Sequence, residues 1–231
     1  MAISAGPDIA ENGLILNLDA VDYRSYRGTG TGWIDISGQN NNITLVNDPV
    51  FSCCPATFTF NGTDEYGTAG DNDNLTQSLI TVETFTAATN EGSLGHVMNI
   101  VGKGDWNTNG RLILGYKSDS GIFLTFVYRT SWWGGGASLS INSFDATQWH
   151  HIVGVSDGTA DRLYLDGVLV NSSTIGYGSA VTNNDPFLIA DSYAGYSKYP
   201  GKIALVRVYN RALNADEIKQ NYTALRGRYG I

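Results

Sequence analysis

The chain has 231 residues, and 14 Lys plus Arg against 22 Asp plus Glu give it a formal net charge of −8. Basic residues scattered through an acidic chain do not release the counterions that drive nucleic-acid binding, and the same charge disfavours anionic membranes. Charged residues are only 16% of the chain while 28 are glycine, so the surface is polar, weakly charged and rich in turns.

The first seven residues, Met1 to Pro7, lack the basic and apolar regions of a signal peptide, which points to synthesis without secretion. Residues 1–12 read as an N-terminal tail, and 13–231 as one domain. No apolar run approaches the roughly 20 residues that span a bilayer. From residue 13 onward the dominant period is two, in short runs divided by Gly, Asn, Asp and Ser. The first predicted strands are 13–19, 56–60, 79–85, 96–101, 111–116 and 121–128. Then come 137–141, 149–155, 161–165, 168–171, 186–190 and 201–209. No helical segments alternate with them, which excludes βαβ units and leaves an all-β fold, a two-layer antiparallel β-sandwich.

Turn chemistry punctuates the same order. Cys53 and Cys54 are adjacent, too close for an ordinary disulfide, and are expected as free thiols packed at a turn before Pro55. Asn61-Gly62 and Asp157-Gly158 mark reversals, and Asp166-Gly167 supplies the positive φ of a two-residue hairpin. Near the C-terminus, Asn214 is a cap with Glu217 as its capping-box partner, and Ile218, Tyr222 and Leu225 follow at helical spacing. This short helix is expected to cover an end of the sandwich or an open sheet edge, with Arg226 and Arg228 at its negative pole.

Glycoside hydrolysis needs two carboxylates facing one cleft, a geometry that i and i+2 positions of a strand supply. Here Asp64 and Glu65 are adjacent, Glu83 stands alone in its strand, and Asp216-Glu217 belongs to the helix start. No nucleophile elbow or phosphate cradle is present. The sequence is therefore not read as an enzyme. Trp149 is expected to close one end of the core. His151, Val153 and Val155 are read as the buried face of their strand, His151 being neutral with its nitrogens satisfied. Two loops are aromatic: 130–136 holds Trp132 and Trp133, and 191–200 holds Tyr193, Tyr196 and Tyr199. Such rings suit the apolar face of a sugar or an interface with another protein chain, and both readings stand at this point.

Several strings together resemble the laminin-G-like, concanavalin A-like jelly-roll superfamily. They are Trp149-His150-His151-Ile152-Val153, the segment from Arg162 through Asp166-Gly167 to Val170, and that from Gly201-Lys202-Ile203 to Ala212-Leu213. Earlier, residues 33–41 match a WxDxSGxxN segment and Phe60-Asn61-Gly62-Thr63-Asp64-Glu65-Tyr66 an FxGxxxY strand. The resemblance spans 13–225 and implies a jelly roll with one short C-terminal helix. It also implies one calcium ion at a sheet rim, although the family's acidic pair is replaced here by Ala204-Leu205. Asp64, Asp71, Asp73 and Asp105 are then the remaining calcium candidates, the alternative being solvated Asx turns.

The opening segment further resembles domains of tailed-phage structural proteins. That implies a non-catalytic virion component of capsid or tail, assembled in the host cytoplasm as a homo-oligomer among other virion chains and adhering to host glycans. The alternative is a free, lectin-like carbohydrate-binding module.

Overall fold

The structure, a computed structural model, describes residues 8–90, 98–104, 111–118, 122–129, 137–174, 183–191 and 198–231. Sixteen strands are found among them. The first eight are β1 (Leu14–Asp19), β2 (Gly32–Trp33), β3 (Ile43–Val46), β4 (Val50–Ser52), β5 (Thr57–Asn61), β6 (Tyr66–Gly70), β7 (Ile80–Ala88) and β8 (Met98–Lys103). The others are β9 (Arg111–Ser118), β10 (Ile122–Arg129), β11 (Ala137–Ser140), β12 (His150–Ser156), β13 (Asp161–Leu165), β14 (Val168–Ser173), β15 (Phe187–Ile189) and β16 (Pro200–Tyr209). Each of the twelve predicted strands has its counterpart. β2, β3, β4 and β6 were not predicted, because runs of two to five residues among turn formers such as Asn40, Asn47 and Asp48, all at positive φ, show no alternation.

The strands form two antiparallel sheets of eight. One runs β14-β13-β12-β7-β16-β5-β4, and β16 pairs β5 through residues 200–203 and β1 through 205–209. The other runs β11-β10-β9-β8-β15-β6-β3-β2. Their inner faces meet in one apolar core, where Leu18, Phe60, Ile152 and Val206 of the first sheet face Trp33, Ile100, Leu114 and Phe126 of the second. Gly154 is required at its position, since a Cβ there would come within 2.0 Å of the Phe126 ring.

The WxDxSGxxN segment is structural. Trp33 fills the core, and Asp35 gathers the loop that follows it. Its carboxylate accepts hydrogen bonds from the amides of Asn17, Ser37 and Asn41 at 2.8–2.9 Å and from the Ser37 hydroxyl at 2.8 Å. The Asn41 side chain then donates to the Ile15 carbonyl at 2.7 Å, tying the loop to β1.

Asp166 (φ 52°) and Gly167 (φ 77°) form the predicted hairpin, with Leu165 paired to Val168. Asp166 also accepts from the His151 amide at 2.9 Å and holds His150 Nδ1 at 2.8 Å, while His150 Nε2 lies 2.9 Å from the Asp145 carbonyl. Burial opposes the charged ring, but Asp166 and Asp145 outweigh it and raise the His150 pKa above the usual histidine value. A raised folded-state value means stability that is complete below the unfolded pKa of about 6.5 and is lost as pH rises through the folded one. NMR titration should therefore find His150 above its ordinary pKa. Asp166→Asn, which keeps the turn geometry, should bring it down and flatten that part of the stability profile.

Helix α1 (Ala215–Leu225) has the predicted capping box, the Asn214 side chain accepting from the Glu217 amide at 3.0 Å and Glu217 from the Asn214 amide at 2.9 Å. It lies across a face of the first sheet and reaches the edge hairpin, where Tyr222 stands against Gly167. Ile218 packs with Val153, Val155, Tyr164 and Tyr209, and Leu225 with Phe85 and Leu205, all on the outer face of the first sheet. β7 is consequently buried along its whole length. The assignment of faces in β12 changes with it: Ile152 and Gly154 face the sandwich core, whereas His151, Val153 and Val155 lie beneath the helix layer. Trp149 belongs to that outer layer too, half-buried against Tyr229 at 4.9 Å, and does not close the core. Residues 8–12 are held there: the Ala10 amide donates to Asn221 Oδ1 at 2.8 Å, and Arg211 Nε donates to the Asn12 carbonyl at 2.7 Å. Among the described residues no helix is long and apolar enough to cross a membrane.

Candidate functional site

The unpredicted strands frame a cavity. The chain leaves β1, loops through residues 20–31 into β2, and returns as β3 on one sheet and β4 on the other. Where these segments diverge at the sandwich edge lies a cavity of about 300 Å³, lined by Tyr26, Thr31, Leu45, Asp48, Pro49 and Phe51 and by Gly28 and Gly30.

Its wall is aromatic. The Tyr26 and Phe51 rings meet at 4.8 Å, tilted by 55°, and both rest on Phe58, at 4.7 and 5.4 Å. Phe58 in turn packs on Trp33 at 4.7 Å, so the wall continues the core. The Tyr26 hydroxyl donates to the Gly30 carbonyl at 3.1 Å, which fixes the 27–30 loop over the ring. Burial, with a smaller contribution from the Asp48 charge, pushes the Tyr26 hydroxyl pKa up, so at neutral pH it remains a donor. Asp48 is exposed at the rim, at a positive φ of 55°. An apolar ring wall with a carboxylate and a hydroxyl beside it is the composition that binds a small polar molecule with one apolar face.

Of the aromatic residues read from the sequence as contacts, Trp132, Trp133, Tyr193 and Tyr196 lie outside the described residues, as does Asp105 among the calcium candidates. Tyr199 is corrected. It is fully buried, its hydroxyl 2.8 Å from that of Thr86 and its ring stacked on Tyr116 at 6.0 Å, so it is a core residue and presents no surface to a ligand. Burial drives its hydroxyl pKa far up. The neighbouring Lys198 pairs with Asp191 and covers the Tyr66 ring at 4.4 Å.

Among the described residues, the acidic candidates are engaged with other partners. Asp71 and Asp73 converge on the ammonium of Lys103, at 2.6 and 2.9 Å, and the Lys103 side chain is fully buried. Asp64 accepts from the Asn61 side chain at 2.8 Å within its own turn. Calcium takes about six to eight oxygens, whereas no group of three or more His, Cys, Asp or Glu gathers among the described residues. With the ammonium already supplying the charge, the melting temperature should be the same in chelator and in saturating calcium. A rise with calcium would contradict this, because an ion that binds the native state must stabilise it. Cys53 and Cys54 are free, and both are exposed rather than packed, in the turn between β4 and β5.

Glu83 is not alone. It lies fully buried under α1, with Oε1 3.2 Å from Arg207 Nη1 and Oε2 accepting from Asn221 Nδ2 at 2.6 Å. Burial alone would raise its pKa, but His151, Arg207 and Asn221 together hold it below the usual carboxylate range. Nε2 of His151 is 3.2 Å from Glu83 Oε1 but is not aligned as a hydrogen bond. The ring is instead stacked on Phe85 at 4.7 Å, and the expectation that its nitrogens are satisfied does not hold among the described residues. Glu65 accepts from the Asn61 amide at 2.8 Å, and Glu217 closes the helix cap while paired with Arg211 at 2.6 Å.

Residues 61–219 match the family model of the concanavalin A-like lectin/glucanases superfamily, more than half of the 231-residue chain. The chain belongs to this superfamily. Among the described residues, the carboxylates Glu83 and Glu217 are committed to the helix layer. Similar solved structures include the binding domain of botulinum neurotoxin DC in complex with SialylT, at 12% identity and TM-score 0.67, covering 93% of this chain and 52% of that one. Domain 4 of AbnA, an extracellular arabinanase from Geobacillus stearothermophilus in complex with arabinotriose, matches at 17% identity and TM-score 0.62, covering 93% of this chain and all of that one. Trypanosoma rangeli sialidase in complex with the inhibitor DANA matches at 14% identity and TM-score 0.62, covering 97% of this chain and 34% of that one. At these identities the likeness is one of fold, and the chain spans about half of the neurotoxin domain. A comparison with curated protein sequences found no match. None of these findings ties the domain to tailed-phage proteins.

Proposed function

We propose that this domain is a carbohydrate-binding, lectin-like module and that the cavity at Tyr26 and Phe51 receives the sugar. The observation that carries the reading is the cavity itself: tilted aromatic rings at 4.8 Å with Asp48 and Thr31 among its lining residues, in a chain of concanavalin A-like fold. A pyranose offers an apolar face and rigid hydroxyls, and those two features call for a ring wall and a carboxylate acceptor. A complex with SialylT and one with arabinotriose among structures of this fold support the choice of ligand class.

A glycan array followed by calorimetric titration tests this. Phe51→Ala removes half of the aromatic contact and should weaken binding at least about tenfold, since a stacked aromatic pair and its buried area together exceed about 1.4 kcal/mol. Thermal melting of the variant separates lost binding from lost folding. The Trp132→Ala, Trp133→Ala double variant serves as the counter-test. Binding lost there and kept in Phe51→Ala would move the site to the 130–136 segment and overturn the cavity assignment.

A further inference from the structure

Resting on the reading of the cavity as a sugar site, we infer that it selects its sugar by charge, preferring amino-bearing over neutral rings and rejecting acidic ones. Among the described residues, Asp48 is the only one lining the cavity that carries a charge at neutral pH. Of the cationic side chains in the adjoining loop, one is charge-paired and the other stays charged over an exposed ring. Arg24 is paired with Asp22 at 2.6 Å, and the Arg27 guanidinium lies over the Tyr23 ring at 5.9 Å.

The strands behind the rim bring further negative charge to it. β3 pairs β6 with Val46 opposite Tyr66, which sets residues 47–48 beside 64–65, and the Asn47 side chain donates to the Asp64 carbonyl at 3.0 Å. The Glu65 carboxyl is pushed up, first by burial and then by the charges of Asp64 and Asp48, as expected where carboxylates crowd one rim. A sugar that enters with its apolar face on Tyr26 and Phe51 turns its polar edge toward this rim. An ammonium on that edge gains a charge-assisted hydrogen bond to Asp48, a hydroxyl gains an ordinary one, and a carboxylate meets repulsion.

The experiment uses three probes on one ring, glucosamine, glucose and glucuronic acid, together with the three galacto counterparts. They are titrated into the full chain at mildly acidic pH, where the amine is protonated and the carboxylates are ionised. In whichever series binds, the expected order is amino, then neutral, then acidic, with steps of about fivefold, the effect of one unit-charge pair about 4 Å apart in water. The spread should narrow at high ionic strength. Asp48→Asn, in which folding is checked by melting, should collapse the order of amino, neutral and acidic rings, whatever it does to the affinity for the neutral one.

A reversed order, or one unchanged by Asp48→Asn, overturns the inference. If Phe51→Ala still abolishes binding in that case, the cavity reading survives without it. Failure of both series to bind in a Phe51-dependent way defeats the cavity reading and the inference together.

Discussion

Replacing Glu83 with alanine should destabilise the domain by about 3–5 kcal/mol, a large part of the 5–15 kcal/mol typical of a folded domain. Cross-strand register is the cause. Asn17, Arg207 and Glu83 are direct neighbours across β1, β16 and β7, so Arg207 is held on one side by Asn17 Oδ1 at 3.0 Å and on the other by Glu83. Arg207 is only 2% exposed, and without Glu83 its charge is buried with no opposite charge beside it. Asn221 keeps its bonds to Tyr209 and Ala10 but loses the one to Glu83, and with it α1 loses one polar anchor to the sheet beneath. Urea unfolding measures the effect. Replacing both charges with apolar residues, as Glu83→Leu with Arg207→Met, should recover most of the loss, because a well-packed apolar pair avoids the desolvation cost of two buried ions. A single-variant loss below about 1 kcal/mol would show that the network does not hold the helix.

Trp33→Ala should cost a similar amount, about 3–5 kcal/mol, through the cavity it leaves in the core. The indole is fully buried against Phe58, and Phe58 supports both rings of the proposed sugar wall. The variant should therefore lose sugar affinity as well as stability. Phe58 is free to relax into the space, which tilts Tyr26 and Phe51 away from their present geometry. Thermal melting and sugar titration on the same sample would show the two losses together. A destabilised variant with unchanged affinity would mean that the wall does not depend on the core behind it.

The main body of the sandwich was legible because β7, β12 and β16 are long enough to display period two and because Asn214 and Glu217 announce a capped helix. That both faces are buried was not legible. The rule that only one face of an antiparallel strand is buried fails where a helix covers the other side: His151 and Val153 are buried as read, but beneath the helix, Ile152 and Gly154 are buried as well, and Glu83 passed for a solitary carboxylate. Its partner, Arg207, lies 124 residues away and meets it only through strand pairing.

The cavity was hidden for a different reason. β3 and β4 have four and three residues, too few for a pattern, and Tyr26 sits in a loop dense with glycine. The one local signal was the Asn47-Asp48-Pro49 turn, whose two residues of positive φ aim Asp48 at the rim. Tyr199 misled in the opposite direction, since a tyrosine in a polar, glycine-containing segment looks exposed, whereas the register of β16 carries it inward to Thr86.

Backbone amide mapping by NMR during titration with a bound sugar tests the central claim most directly. The account predicts shifts concentrated at Tyr26, Gly28, Gly30, Thr31, Asp48 and Phe51, saturating together with one affinity. Saturable shifts that spare these residues and fall elsewhere on the chain would contradict it.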